Sequence, residues 1–190
     1  HQSFRPLQED IIQSILNGKD TLALLPTGGG KSICFQVPAM AMDGVCLVIS
    51  PLIALMTDQV QNLRKRGITA AALTSALSKR EIDIALDNAV HGGLKFLYLS
   101  PERIKTELFQ ARLKKMKISM VAIDEAHCIS EWGHDFRPAY REIVELRSLL
   151  PQSTPFITLT ATATSEVVDD IIDKLELKQM SASGETTLCK

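Results

Sequence analysis

The chain has 190 residues with a formal net charge of −1, 45% hydrophobic and 23% charged side chains, which suits one soluble domain with a sizeable core. This balance excludes a disordered chain and any global attraction to phosphates, so a nucleic-acid site must be a local basic and aromatic patch. Cys34, Cys46, Cys128 and Cys189 lie far apart without a C-x-x-C pair, which points to free thiols in a reducing compartment, and no apolar stretch reaches the ~20 residues of a membrane span.

In chain order, a helix near Leu7–Leu16 precedes the apolar run Thr21–Leu25, a strand that empties into Pro26-Thr-Gly-Gly-Gly-Lys-Ser32. Consecutive glycines let backbone N–H groups turn inward around an anion, and the helix predicted over Lys31–Ala41 points its positive end at the same place. Thr27, Gly28, Gly29 and Gly30 would form the cradle, Lys31 would reach the β- and γ-phosphates, and the Ser32 hydroxyl would hold Mg²⁺. A strict phosphate-loop pattern places a further glycine five residues before Gly30, where this chain has Leu25, so the loop requires a partner carboxylate elsewhere.

Val45–Ile49 is the next strand, followed by Ser50-Pro51 and a helix over Leu52–Lys65; then come strand Ala70–Leu73, helix Lys79–Ala89 and strand Phe96–Leu99. The strand Met120–Ile123 runs into Asp124-Glu125-Ala126-His127. Adjacent acids at the end of a buried parallel strand diverge, so Asp124 can bind Mg²⁺ while Glu125 deprotonates the water that attacks the γ-phosphate. Helix Tyr140–Leu149, strand Phe156–Leu159 and helix Glu166–Leu175 complete the alternation, and residues 181–190 lose it and read as an irregular tail or an appended remnant. Six continuous apolar strands alternating with helices predict an α/β fold, a parallel sheet flanked by helices on both faces, with Lys31 and Asp124 along one edge.

Other polar groups fall on that edge. Ser50, Thr160 and Thr162 end strands and suit a nucleic-acid phosphate backbone, with the threonines able to couple that contact to the nucleotide. The segment Cys128–Tyr140 holds the only tryptophan, and Gly133 and Pro138 argue against regular structure there. Trp132, His134, Phe136 and Arg137 therefore form a candidate platform for unpaired bases, the alternative being a packed loop, while His127 is a candidate bridge from Glu125 to the threonines of 158–164.

Pro26-Thr-Gly-Gly-Gly-Lys-Ser32, Asp124-Glu-Ala-His127, Trp132-Gly-His-Asp-Phe-Arg-Pro138 and Leu159-Thr-Ala-Thr162, in this order, closely resemble the first RecA-like domain of RecQ-family DNA helicases within superfamily 2. The resemblance covers nearly the whole chain and implies a RecA-like ATP-binding domain over residues 4–178, the first of two in its parent. It implies ATP and Mg²⁺ as cofactors, Lys31 and Ser32 on the phosphates and metal, Asp124 on the metal, Glu125 as catalytic base with His127 beside it, and the aromatic loop as coupler of single-strand DNA binding to hydrolysis. Phe4-Arg5-Pro6-Leu7-Gln8 is similar to the family's adenine-recognition motif, in which Gln8 holds the adenine edge, Arg5 supports it, and His1 falls where a stacking ring sits.

The same resemblance implies a cytoplasmic or nucleoid (nuclear in a eukaryote) 3′-to-5′ helicase acting in DNA repair and recombination, whose partners are single-stranded and partly duplex DNA and a second RecA-like domain. This stretch has no arginine finger from such a domain, and it is expected to hydrolyse ATP poorly and not to unwind duplex. The competing readings are an RNA-directed superfamily 2 ATPase, which gives no reason for the aromatic loop, and a nucleotide-dependent assembly module.

Overall fold

The computed structural model describes residues 4, 5, 7–133, 135–177 and 187–189. His1, His134 and the last residue of the 4–178 domain assignment lie outside the described residues. Strands β1 (Thr21–Leu24), β2 (Val45–Ile49), β3 (Ala70–Leu73), β4 (Phe96–Leu99), β5 (Ile118–Ile123), β6 (Phe156–Thr160) and β7 (Thr187–Cys189) form one sheet in the order β3-β4-β2-β5-β6-β1-β7. Every pairing is parallel. The stretch 181–190, which the sequence pattern leaves irregular, thus contributes β7 beside β1, and its other residues lie outside the described ones.

Helices α1 (Gln8–Leu16), α2 (Lys31–Ala41) and α3 (Ile53–Lys65) cover one face, burying Ile11, Phe35 and Met56 against Cys46, Val48, Met120 and Ala122. The other face takes α4 (Lys79–Val90), α5 (Pro101–Ile104), α6 (Glu107–Leu113), α7 (Arg141–Leu149) and α8 (Ser165–Lys174), with Leu86, Phe109, Ile143 and Ile171 packed on Leu47, Ile49, Val121 and Ile123. Neighbouring residues of β2 and β5 therefore serve opposite cores, which is why these strands read as unbroken apolar runs. Sequence periodicity does not separate α5 and α6, because four and seven residues are too short to carry a helical repeat.

The order places β6 between β1 and β5, so the loops that follow these three strands emerge side by side at the carboxyl-terminal rim. Register brings Leu24 level with Thr160, and Ile123 level with Thr158. Two short 3₁₀ turns, Ala126–Ile129 and Pro138–Tyr140, bracket the aromatic segment and hand it to α7.

Candidate nucleotide and nucleic-acid site

Leu25 still pairs with the sheet, its N–H donating to Thr160 O at 3.0 Å, and the chain then turns away into the glycine loop. Gly30 caps α2 in the left-handed region, with φ +79°. A Cβ there would stand 2.4 Å from Gln8 Nε2, so a larger residue would strain the left-handed backbone and push the Gln8 amide aside. Gln8 is buried, and its amide donates to the carbonyls of Gly29 (3.2 Å) and Gly30 (3.3 Å) while its Oε1 accepts from Arg5 N–H at 2.9 Å. The Arg5 guanidinium donates to Gly28 O. Both residues of the N-terminal motif thus brace the loop from behind, and Thr27 stands exposed at its tip.

Lys31 opens α2 and extends to the acids at the end of β5. Its Nζ lies 3.2 Å from Glu125 Oε1 and 4.0 Å from Asp124 Oδ1. Asp124 is buried; its N–H donates to Ile49 O at 2.8 Å, and its carbonyl accepts from the buried Tyr140 hydroxyl at 3.0 Å. Burial, and then the neighbouring Glu125 charge, push the Asp124 carboxyl above its ordinary range, against the opposing pull of Lys31.

A carboxyl raised in this way stabilises the fold while protonated and loses that contribution as pH rises through its folded-state value. Asp124→Asn is therefore expected to raise the thermal unfolding temperature at pH 7.5 without nucleotide. The gain should vanish below the ordinary carboxylate pKa of about 3.9. An equal gain at both ends of that range would refute the assignment.

Glu125 adopts φ +51° and ψ +46°, a left-handed conformation that costs a non-glycine residue of order 1–3 kcal/mol and clusters at functional sites. The turn throws its carboxylate away from Asp124, so that Oε1 meets Lys31 and Oε2 lies 3.3 Å from His127 Nδ1. The same His127 nitrogen is 2.9 Å from Thr160 Oγ1. Thr160 is fully buried, and its hydroxyl donates to Thr162 O (3.1 Å) and accepts from Thr162 N–H (3.3 Å), which folds the strand end into a tight turn with Thr162 exposed. Lys31, Asp124, Glu125, His127 and Thr160 are thus one connected group.

The other sequence candidates spread over the same rim. Trp132 is 77% exposed and free to stack. Phe136 is half-buried, with the Arg141 guanidinium 5.5 Å and Lys174 Nζ 5.9 Å from its ring centroid, so its faces are already engaged by cations. Arg137 is exposed. Ser50 is buried, its hydroxyl accepting from Leu52 N–H at 3.4 Å, whereas Leu52 and Ile53 beside it are exposed. Tyr140 closes the aromatic segment of the sequence, but the reach of its hydroxyl to the Asp124 carbonyl is what sequence reasoning missed, because it arises only in the fold.

A glycine loop after β1 that faces an acid pair after β5, with one strand between them, defines a P-loop nucleoside-triphosphatase domain of RecA-like fold. Solved structures agree on the fold: the Pyrococcus furiosus Hef helicase domain superposes with TM-score 0.72 at 22% identity, covering 97% of this chain and 37% of that one. Mycobacterium smegmatis helicase Lhr, solved with ssDNA and AMP-PNP, gives TM-score 0.74 at 22% identity, covering 100% of this chain and 26% of that one.

Residues 5–171 match the DEAD/DEAH box helicase family, and the chain belongs to it. Among its relatives are the probable ATP-dependent DNA helicase RecS of Bacillus subtilis, 52% identical over 93% of this chain and 35% of RecS, and the ATP-dependent DNA helicase RecQ of Haemophilus influenzae, 46% identical over 95% of this chain and 29% of RecQ. The chain spans about a third of the length of these relatives. No described helix is long and apolar enough to cross a membrane.

Proposed function

We propose that this chain is the first ATP-binding motor domain of a RecQ-like 3′-to-5′ DNA helicase, which couples ATP hydrolysis to movement along single-stranded DNA. The observation that carries the reading is His127 Nδ1, placed within reach of both Glu125 Oε2 and Thr160 Oγ1, with the aromatic segment following directly in the chain. Hydrolytic carboxylate and DNA-facing loop are one continuous structure. That continuity gives no support to an RNA-directed ATPase or a simple assembly module.

The residues suit ATP with Mg²⁺. The left-handed Gly28 and Gly30 shape a loop that ends at the amino terminus of α2, the end of a helix that suits an anion, and Ser32 with Asp124 would offer the few oxygen ligands Mg²⁺ takes beside phosphates. Among the described residues no cluster of three or more His, Cys, Asp or Glu could hold a metal unaided. When bound, Mg²⁺ supplies neutralisation of the phosphate charge. Lys31 Nζ binds the β- and γ-phosphate oxygens. Glu125 orients the attacking water and takes its proton on a carboxylate oxygen, and His127 holds that carboxylate in line. Gln8 and Arg5 keep the loop's carbonyls turned back. Trp132 stacks on an unpaired base and, through residues 126–131, shifts His127.

Trp132→Ala in the full-length protein is expected to lower the ratio of DNA-stimulated to DNA-free ATP turnover about 5- to 150-fold, the range that loss of ~1–3 kcal/mol of base stacking gives. Because Trp132 is so exposed, thermal unfolding should not move. Steady-state hydrolysis titrated with an oligothymidylate decides the matter, and stimulation by RNA equal to that by DNA would defeat the reading.

A further inference from the structure

Tyr140 ends the aromatic segment and is fully buried, its ring part of the core that also takes Ile104, Ile129 and Ile143. It closes the 3₁₀ turn Pro138–Tyr140, its N–H donating to Arg137 O at 2.9 Å, and the Arg137 N–H in turn donates to Cys128 O at 3.0 Å. The two ends of the segment are therefore tied together, while Trp132 between them stays exposed. A ring held in a packed core carries its hydroxyl to a fixed place. Here that place is the Asp124 carbonyl, 3.0 Å away.

That carbonyl and the Glu125 N–H are the two polar ends of one planar peptide. The N–H donates to Asp124 Oδ1 at 3.0 Å, and among the described residues no backbone N–H donates to the carbonyl. Side chains rather than a neighbouring strand thus fix this peptide, one residue after Asp124 N–H pairs with Ile49 O of β2. Its plane is the reference from which the Glu125 φ of +51° is turned, and a residue other than glycine keeps such a φ only where its surroundings impose it. On the far side, Glu125 O accepts from the N–H of Cys128, the residue whose carbonyl holds Arg137. Tyr140 therefore runs from the closing turn of the segment to the peptide that aims the Glu125 carboxylate at Lys31 and His127.

We infer that Tyr140 is a positioning residue for Glu125: its hydroxyl clamps the 124–125 peptide in the orientation that sets Glu125 in the left-handed region, with its carboxylate between Lys31 and His127. The inference rests on the reading of Glu125 as the base. It gives the aromatic segment a second contribution, at its buried end, besides base stacking by Trp132. It also gives a reason for a tyrosine, rather than a phenylalanine, where the ring is enclosed by the core.

The test uses the full-length protein with saturating oligothymidylate and compares wild type, Tyr140→Phe, Glu125→Gln and the double variant. Phenylalanine keeps the ring and its packing and removes only the donor. Turnover is divided by the number of sites that bind a fluorescent ATP analogue, so unfolded protein does not count. Tyr140→Phe should lower kcat about 5- to 150-fold, the equivalent of the 1–3 kcal/mol that a buried acceptor adds when it loses its donor, and leave the KM for ATP within about twofold. In the Glu125→Gln background the same change should alter the residual kcat by less than about twofold, because no base is left to misplace. A kcat within about twofold of wild type in Tyr140→Phe, a KM that rises as much as kcat falls, or an equal loss in both backgrounds would overturn the clamp, and so would a lower thermal midpoint as the only effect. A kcat for Glu125→Gln within about tenfold of wild type would instead remove the base reading on which the clamp rests.

Discussion

Glu125→Gln in the full-length protein lowers kcat for ATP hydrolysis by about 10²–10⁴-fold, the range contributed by a positioned general base. The substitution keeps size and shape, so an amide oxygen can still face Lys31 Nζ, now 3.2 Å from Glu125 Oε1, and the remaining group can still face His127 Nδ1, 3.3 Å from Oε2. What it removes is the ability to accept a proton. Nucleotide affinity should therefore change little, since the glycine loop and Lys31 stay in place. Steady-state turnover with saturating oligothymidylate, read beside binding of a fluorescent ATP analogue, separates the two quantities. A kcat within tenfold of wild type would assign the proton to another group. A collapse of nucleotide affinity would show that Glu125 is structural, holding Lys31 rather than water.

Asp20→Ala has the largest expected cost in stability. Asp20 is buried at the turn before β1, where its carboxylate grips Arg147 of α7 at 3.0 and 2.6 Å and accepts from Phe156 N–H at 2.9 Å. The guanidinium also lies 4.5 Å from the Phe156 ring centroid. Removing the carboxylate leaves a nearly buried cation and an unsatisfied backbone N–H together, which should cost about 3–5 kcal/mol. At 2–4 °C per kcal/mol for a chain of this size, the thermal midpoint falls by roughly 6–20 °C. Asp20→Leu with Arg147→Leu should recover part of the loss, because no charge is then stranded. The pair lies at the opposite end of β1 and β6 from the site, so nucleotide binding by the folded fraction should be unchanged. A midpoint shift under about 2 °C, at most about 1 kcal/mol on the same conversion, would mean that water replaces the carboxylate.

Much of the architecture is legible because doubly covered parallel strands leave a distinctive trace. All six apolar runs became strands, displaced by no more than two residues, as at β5, where Ile118 and Ser119 join the predicted Met120–Ile123. The glycine loop is legible for a different reason: the left-handed φ of Gly30 favours glycine, so the residue announces its conformation. Glu125 gives no such notice. Its left-handed backbone is imposed by the surrounding strand end and turn, and a glutamate after an aspartate reads the same whether extended or not.

Long-range pairs are silent for a topological reason. Asp20 and Arg147 are 127 positions apart, and only the strand order brings β1 beside β6 and under α7. The aromatic loop lies between these cases. Its composition marks it as a candidate site, yet the separation of an exposed Trp132 from a half-buried Phe136 depends on Arg141 and Lys174, which the composition alone does not place.

The single direction of all the strands also makes the molecule convenient to handle at one end. The candidate nucleotide and DNA groups gather where the strands finish, so the rim where they begin, built from the turns around 42–44, 66–69, 91–95, 114–117 and 150–155, is clear of them. Lys114 and Ser153 are exposed on that rim, while Cys34, Cys46 and Cys128 are buried. With Cys189→Ser in the background of this chain, Ser153→Cys would take a maleimide dye or a surface tether there, a grip that leaves the opposite rim unobstructed.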